Sequence, residues 1–437
     1  MLSQDNSWTR AVTAVIVSAF AMEMLLAGPG FWYFGGLPVR RTLTAILTLW
    51  MIFLFLSGRA PLRQGHVLLM VSLALFMTIW IVLIPTLRAA QPISDAVQEG
   101  LPLALLFGGV FLHAYYRNNP DAWAALRRLC GWTLAAVAVM ALAVWVLGTF
   151  VVSEPIIVAL GFLNFFTLGN ESLEPAVYVQ TMPDGFFRVM WITSTLMPAG
   201  LLYCLASRRP FGAALFAAAL FVSYTRALWL ATALAIVWAA LRYLIAGGRP
   251  RITSAWLVVV ILATGAVVGA DLFSDEGESV SLRAFNRLVA TFSDESATDR
   301  VDQVGPLIDA WLSSPVFGLG MGGAAAIERS DVVPYLYELT YLALLMKLGV
   351  FGSMALIAML AVVLVGRAQR GASLAHIEAC IVAFLLACAT NPYLLNLVGL
   401  SLLVFLIIDL NLVARSTPAS LKKRSRGSGG KLGLMPP

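Results

Sequence analysis

Charge is scarce in this sequence. Only 12% of its 437 residues are Asp, Glu, Lys or Arg, while 60% are hydrophobic. A soluble globular chain carries about a quarter charged and about half apolar residues. That excludes a soluble enzyme and makes the chain a polytopic membrane protein. Histidine is nearly missing: His66, His113 and His376 are the full set, and none falls in an outer loop. Four cysteines, Cys130, Cys204, Cys380 and Cys388, lie in or beside apolar runs, so no structural disulfide is expected in the long loop. No cleavable leader is visible, since the first apolar run lacks a small-residue cleavage site and reads as a retained span. The net charge of +6 arises at the joints between apolar runs and does not point to a nucleic-acid partner. Internal repeats are absent as well, which weakens a transporter reading, because many transporters are built from repeated halves.

What is present is apolar runs. Segments able to cross about 30 Å of hydrocarbon fall near 11–28, 42–57, 66–86, 101–116, 131–152, 189–206, 210–224, 227–244, 254–270, 338–366, 374–390 and 395–413. They predict an all-α protein of about 12 transmembrane helices, with residues 1–415 as the membrane domain. Placing the N-terminus inside puts 19 of the 29 basic residues in cytoplasmic segments, and 18 of the 23 acids at or beyond the outer boundary. Both termini are therefore expected in the cytoplasm. The tail 416–437 is basic, Gly/Ser-rich and aperiodic, as in a disordered segment drawn to the membrane surface. An aromatic stretch at 161–166 suits the membrane interface.

The apolar signal stops between 271 and 337, in one large outer loop. Loops of that length that are not linkers are usually functional. It holds Asp299, Arg300 and Asp302, then a short amphipathic helix over 306–312 with Leu307, Ile308, Trp311 and Leu312 on one face. Gly318, Gly320, Gly322 and Gly323 follow, a loop that would let backbone approach a ligand, although no Walker lysine accompanies it. Arg226, in the joint Ser223-Tyr-Thr-Arg-Ala-Leu-Trp229, is held at the outer edge of the membrane. It could snorkel to lipid headgroups or grip a phosphate through its bidentate fork. Arg300 could form a structural ion pair or serve the same purpose. Glu338, where the tenth run begins, could cap a helix or act as a general base. Glu23, Lys347, Glu378 and Asp409 are charges inside the apolar runs, the strongest features for a transporter.

The joint resembles the Ser-x-Ser-Arg-Gly-x-Trp signature of the O-antigen ligase and O-antigen polymerase family. The run from Arg300 through Leu307-Ile-Asp-Ala-Trp-Leu-Ser-Ser-Pro-Val-Phe-Gly-Leu-Gly-Met-Gly322 is similar to that family's large periplasmic loop, and Tyr341 to Gly352 to the segment after it. The resemblance implies a GT-C-like membrane glycosyltransferase, inverting and metal-independent, without a cofactor. It would take glycan from undecaprenyl pyrophosphate on the periplasmic face of the bacterial inner membrane and pass it to an acceptor glycan. Membrane lipids, and the flippase and chain-length regulator of the same pathway, are its implied partners. Arg226 and Arg300 match the family's pyrophosphate-binding arginines. Thr225 and Ala227 depart from the signature, and Glu338 stands near where ligases carry histidine. That favours a polymerase of exopolysaccharide or O-antigen repeat units over a ligase acting on lipid A core. Glu338 is then the expected base, with Asp302 the next carboxylate beside Arg300. The outer loop 29–41 has no Asp or Glu, which agrees with chemistry that needs no metal.

Overall fold

The computed structural model describes residues 7–26, 33–34, 37–88, 92–150, 177–181, 187–245, 295–327, 335–365 and 374–416. Its helices are α1 (Ser7–Leu26), α2 (Val39–Leu56), α3 (Gln64–Arg88), α4 (Ile93–Tyr116), α5 (Pro120–Phe150), α6 (Met197–Ala206), α7 (Pro210–Val222), α8 (Arg226–Ile245), α9 (Glu295–Leu312), α10 (Thr340–Val365), α11 (Ala375–Ala387) and α12 (Leu397–Ser416). Among the described residues six helices are long and apolar enough to cross a membrane: α1, α3, α4, α5, α8 and α10. Five further apolar stretches reach only 10–17 residues, short of the roughly 20 a straight span needs. The fold is thus a helical membrane protein, and the described residues support six candidate spans rather than the expected count of about twelve. The run 254–270, the aromatic stretch 161–166 and the tail from 417 lie outside the described residues.

Only 28–39% of the residues in each spanning window are buried. Leu56, Leu68, Leu87, Leu230 and Ile245 stand exposed on helix surfaces, large apolar side chains turned outward as on surfaces that face lipid. Inside, close approach relies on small residues. Helix α8 packs along α11. Each buries alanines at every fourth position: Ala231, Ala235 and Ala239 on one, Ala375, Ala379, Ala383 and Ala387 on the other. Small residues at that spacing let helix backbones meet without a layer of larger side chains between them.

Three departures from simple spans shape the site. Helix α3 loosens into a π-helical stretch over Thr78–Leu83. Helix α10 breaks at Gly349 (φ 62°, ψ −171°), so the run at 338–366 is two helical pieces. The run at 189–206 starts as a strand, β4 (Phe187–Trp191), followed by a 3-10 turn Ile192–Leu196, with α helix only from Met197. Strand β4 pairs antiparallel with β3 (Val177–Thr181), setting Gln180 opposite Arg188. A second small hairpin, β1 (Tyr33–Phe34) with β2 (Leu37–Pro38), precedes α2. The all-α expectation therefore holds apart from these hairpins, of which only β4 reaches into a run read as a span; apolarity alone could not separate it from helix, and Val189 and Trp191 alternate into the core as strand residues do.

Candidate active site

The glycine loop is built first, because everything else leans on it. Gly318, Gly320 and Gly322 all have left-handed φ, at 73°, 86° and 77°, which glycine adopts without the Cβ penalty. A Cβ at Gly318 would stand 2.2 Å from the Lys347 carbonyl, one at Gly320 2.7 Å from Pro85, and one at Gly322 2.6 Å from the Ala96 nitrogen. These glycines bring backbone against the protein's own α10, α3 and α4 rather than against a ligand, which corrects the sequence-based expectation. The break at Gly349 and the π stretch of α3 leave carbonyls without helical partners, and the loop supplies the donors. Leu319 N–H donates to Met346 O at 3.0 Å, Gly320 N–H to Lys347 O at 2.8 Å, and Met321 N–H to Trp80 O at 2.8 Å. Irregular backbone beside apolar helices is tolerated when neighbouring chain satisfies it in this way.

A buried ion pair locks the loop. Lys347 Nζ contacts Glu99 Oε1 and donates to Tyr335 O at 2.5 Å, while Gly322 N–H donates to Glu99 Oε2 at 2.6 Å. Both side chains are essentially inaccessible, at 1% and 2%. The Lys347 ammonium also faces the rings of Tyr335 and Tyr337 at 5.7 and 5.5 Å. Burial, reinforced by the negative Glu99 and Asp95, raises the Tyr335 phenol to about 12.

Against this floor lies α9. It begins eleven residues before the expected short helix and runs through Pro306. Its inner face carries Arg300, Gln303 and Leu307, at spacings that share one side of a helix. Leu307 is fully buried and Gln303 nearly so, whereas Leu312 is 58% exposed and not on the packed face. Trp311 packs with Leu307 against Tyr337 and Met346. Gln303 Oε1 accepts the Glu338 N–H at 3.2 Å, and Arg300 Nε stands 2.6 Å from Glu338 Oε2. Two of the expected site residues thus meet directly, with side chains 25% and 14% accessible. Arg300 pairs with Glu338 rather than with its sequence neighbours Asp299 and Asp302. Asp302 sits two positions on, roughly 200° around the helix at 3.6 residues per turn, and is exposed. The structure does not bring it to the pair.

Arg226 opens α8 at the end of a strained joint. Tyr224 has φ 50°, a left-handed value that costs a non-glycine residue about 1–3 kcal/mol. It is held there by its fully buried ring, which meets Trp229 edge-on at 5.7 Å. Trp229 in turn stacks on Phe221 and donates to Leu220 O at 2.8 Å. Arg188 reaches into this joint from β4, donating to Ser223 O at 3.1 Å and from Nη2 to Thr225 Oγ1 at 3.4 Å.

Arg188 was not singled out from the sequence, and it links the two halves. The hydroxyl of Tyr393, in the turn between α11 and α12, lies within electrostatic reach of Arg188, Glu338 and Arg300 together. Burial pushes this phenol well above its ordinary range, with Arg188 opposing. A wholly apolar cavity begins beside that turn, lined by Leu394, Leu395, Leu344, Leu348, Met321 and Phe76 among others.

The charges that favoured a transporter prove to be paired at separate places. Glu23 binds Arg40 at 3.0 Å, Glu378 binds Arg242 at 2.7 Å, and Lys347 binds Glu99. Asp409 accepts Trp123 Nε1 at 2.7 Å, Tyr203 Oη at 2.5 Å and Arg127 at 3.3 Å. They do not converge on one cavity. His66 and His113 face each other at 3.0 Å, and His376 lies edge-on to Tyr203. Among the described residues no group of three or more His, Cys, Asp or Glu stands together.

No curated protein and no solved structure matches the chain. Residues 211–357 match the family model described as O-antigen ligase, a segment that contains the Arg226 joint, the Arg300–Glu338 pair and the clamped glycine loop. The match covers that segment alone, and there the chain is similar to the O-antigen ligase/polymerase family, which supports a membrane protein of surface-polysaccharide assembly.

Proposed function

We propose that this protein is a polymerase of surface-polysaccharide repeat units, transferring glycan from undecaprenyl pyrophosphate to the hydroxyl of an acceptor glycan on the periplasmic face of the inner membrane. The observation that carries the reading is the Arg300–Glu338 ion pair, beside the Tyr393 turn and within the field that Arg188 extends from the Arg226 joint. It gathers cations suited to a pyrophosphate and a carboxylate suited to a proton at one place.

The pair also suggests an order of events. A pyrophosphate oxygen engaging Arg300 competes with Glu338 for the same guanidinium. Binding the donor therefore releases the carboxylate at the moment a base is needed. The acceptor hydroxyl attacks the anomeric carbon from the side opposite the leaving group. As its C–O bond forms, the bond from that carbon to the phosphate oxygen breaks, undecaprenyl pyrophosphate departs with the electron pair, and Glu338 takes the hydroxyl proton. The arginines stabilise the charge that develops on the leaving group. Nothing in this scheme needs a metal, in keeping with the acid-free outer loop 29–41.

The polymerase reading is preferred to a ligase because Glu338 stands where a ligase histidine is expected and the three histidines are engaged elsewhere. The test is to incubate purified protein with lipid-linked repeat units in the presence of EDTA and resolve the products by size. A ladder of longer lipid-linked chains is expected. Transfer to lipid A core without lengthening would replace the polymerase by a ligase, and loss of activity restored by Mg²⁺ would remove the metal-free mechanism.

A further inference from the structure

The turn Asn391–Leu395 lies outside the segment that matches the family, and its central residue carries an unexplained group. Tyr393 is 7% exposed, and its hydroxyl is buried with no hydrogen-bond partner among the described residues. Buried polar groups are almost always paired, and an unpaired one bears the whole loss of its hydration. Nor can the ring readily turn elsewhere. Thr340 Oγ1 donates to Asn391 O at 2.8 Å, tying the turn to the start of α10 two residues from Glu338. Asn396 N–H returns to Tyr393 O at 3.3 Å. Gly399 passes so close beneath that a Cβ there would stand 2.0 Å from the Tyr393 carbonyl.

The surroundings define what would complete this donor. Arg188 and Arg300 are the cations nearby, and the carboxylate there, Glu338, already faces Arg300. A buried hydroxyl within electrostatic reach of two guanidinium groups lacks an acceptor, and the acceptor that suits both neighbours is an anion with several oxygens. A phosphoryl group can take one bond from the phenol and others from the arginines, whereas a neutral sugar hydroxyl leaves the cations uncompensated.

We propose that the Tyr393 hydroxyl donates to a phosphate oxygen of the lipid-linked pyrophosphate, making Tyr393 a substrate-binding residue beside Arg188 and Arg300. This rests on the reading of the site as a pyrophosphate site, and the experiment separates the two. Full-length protein in phosphatidylcholine nanodiscs is titrated with farnesyl pyrophosphate, with phosphatidylglycerol nanodiscs as a second arm. Tyr393→Phe keeps the ring and removes an unpaired buried hydroxyl, so its melting temperature without ligand should match or exceed wild type while farnesyl pyrophosphate binds about tenfold more weakly, the scale of one hydrogen bond to a charged group. Equal affinity in Tyr393→Phe would overturn the role of Tyr393 and leave the site reading standing. No binding by wild type would overturn both. If the loss appears as sensitivity to phosphatidylglycerol rather than to pyrophosphate, the ligand is a lipid headgroup and the proposal fails. Replacing Tyr393 by 3-fluorotyrosine, a stronger donor, provides a second check that keeps both the ring and the hydroxyl. It should bind farnesyl pyrophosphate more tightly than wild type, and unchanged or weaker binding would again overturn the proposal.

Discussion

Replacing Lys347 by methionine tests whether the buried clamp holds the glycine loop. Methionine preserves most of the side-chain volume and removes only the ammonium. Glu99 then keeps the Gly322 N–H but loses the cation that contacts its other oxygen, and the Tyr335 carbonyl loses its 2.5 Å donor. Removing one member of a buried pair costs about 3–5 kcal/mol, because the survivor remains charged in a poor solvent. The least costly relief is local: the loop lifts from α4 and α10 and lets water reach Glu99. Openings of this kind are read by amide exchange. Leu319, Gly320, Met321 and Gly322 are natural reporters, since each donates to an acceptor on another element. At tenfold per roughly 1.4 kcal/mol, their protection in Lys347→Met should fall by about 10²–10³-fold, while α5 exchanges as before. Adding Glu99→Gln to Lys347→Met removes the stranded charge and retains an oxygen for Gly322. The double variant should recover most of the protection. Unaltered protection in Lys347→Met would refute the clamp. A double variant as exposed as the single one would show that lost packing, not charge, opened the loop.

Three other outcomes follow from the same geometry. Arg226→Ala and Arg300→Ala should each abolish glycan transfer in the purified-protein assay with near-normal expression, and lysine at either position should rescue only in part, because a point charge replaces a bidentate fork; full activity in Arg226→Ala would return that residue to the lipid headgroups. Glu338→Gln should retain farnesyl pyrophosphate binding and lose transfer by about 10²-fold or more, the usual scale for a general base, whereas normal turnover would leave Glu338 as a helix-start residue and partner of Arg300 alone. A reporter fused after Thr298 should read periplasmic and fusions after Arg128 and Arg426 cytoplasmic; a cytoplasmic signal at Thr298 would remove the proposed transferase, whose donor is used on the outer face.

What could be read in the sequence and what could not divide along a physical line. Membrane residence, the positions of most helices and the candidacy of Arg226, Arg300 and Glu338 follow from composition, run length and local motif, all of which are properties of contiguous residues. At the site, what contiguous residues do not reveal is tertiary pairing. A buried charge reads as a functional group until its partner is known, and the partner of Lys347 is Glu99, on a helix far away in the chain. Glycines at 318, 320 and 322 announce a close approach but not to what; here it is α10, α3 and α4. Asp302 looked equivalent to Glu338 because both are carboxylates near Arg300, yet helical phase turns one outward while α10 carries the other in. Arg188 and Tyr393 were passed over for the same reason. One sits in a strand that apolarity disguised as the start of a span, the other in a five-residue turn with no motif of its own. A signal did exist for Arg188, since it is a lone arginine beside the apolar stretch Val189–Trp191 on the side expected to face outward, where positive charge is scarce. For Tyr393 none existed, because the evidence for it is a missing bond, and a missing bond becomes visible only once every neighbour has been placed.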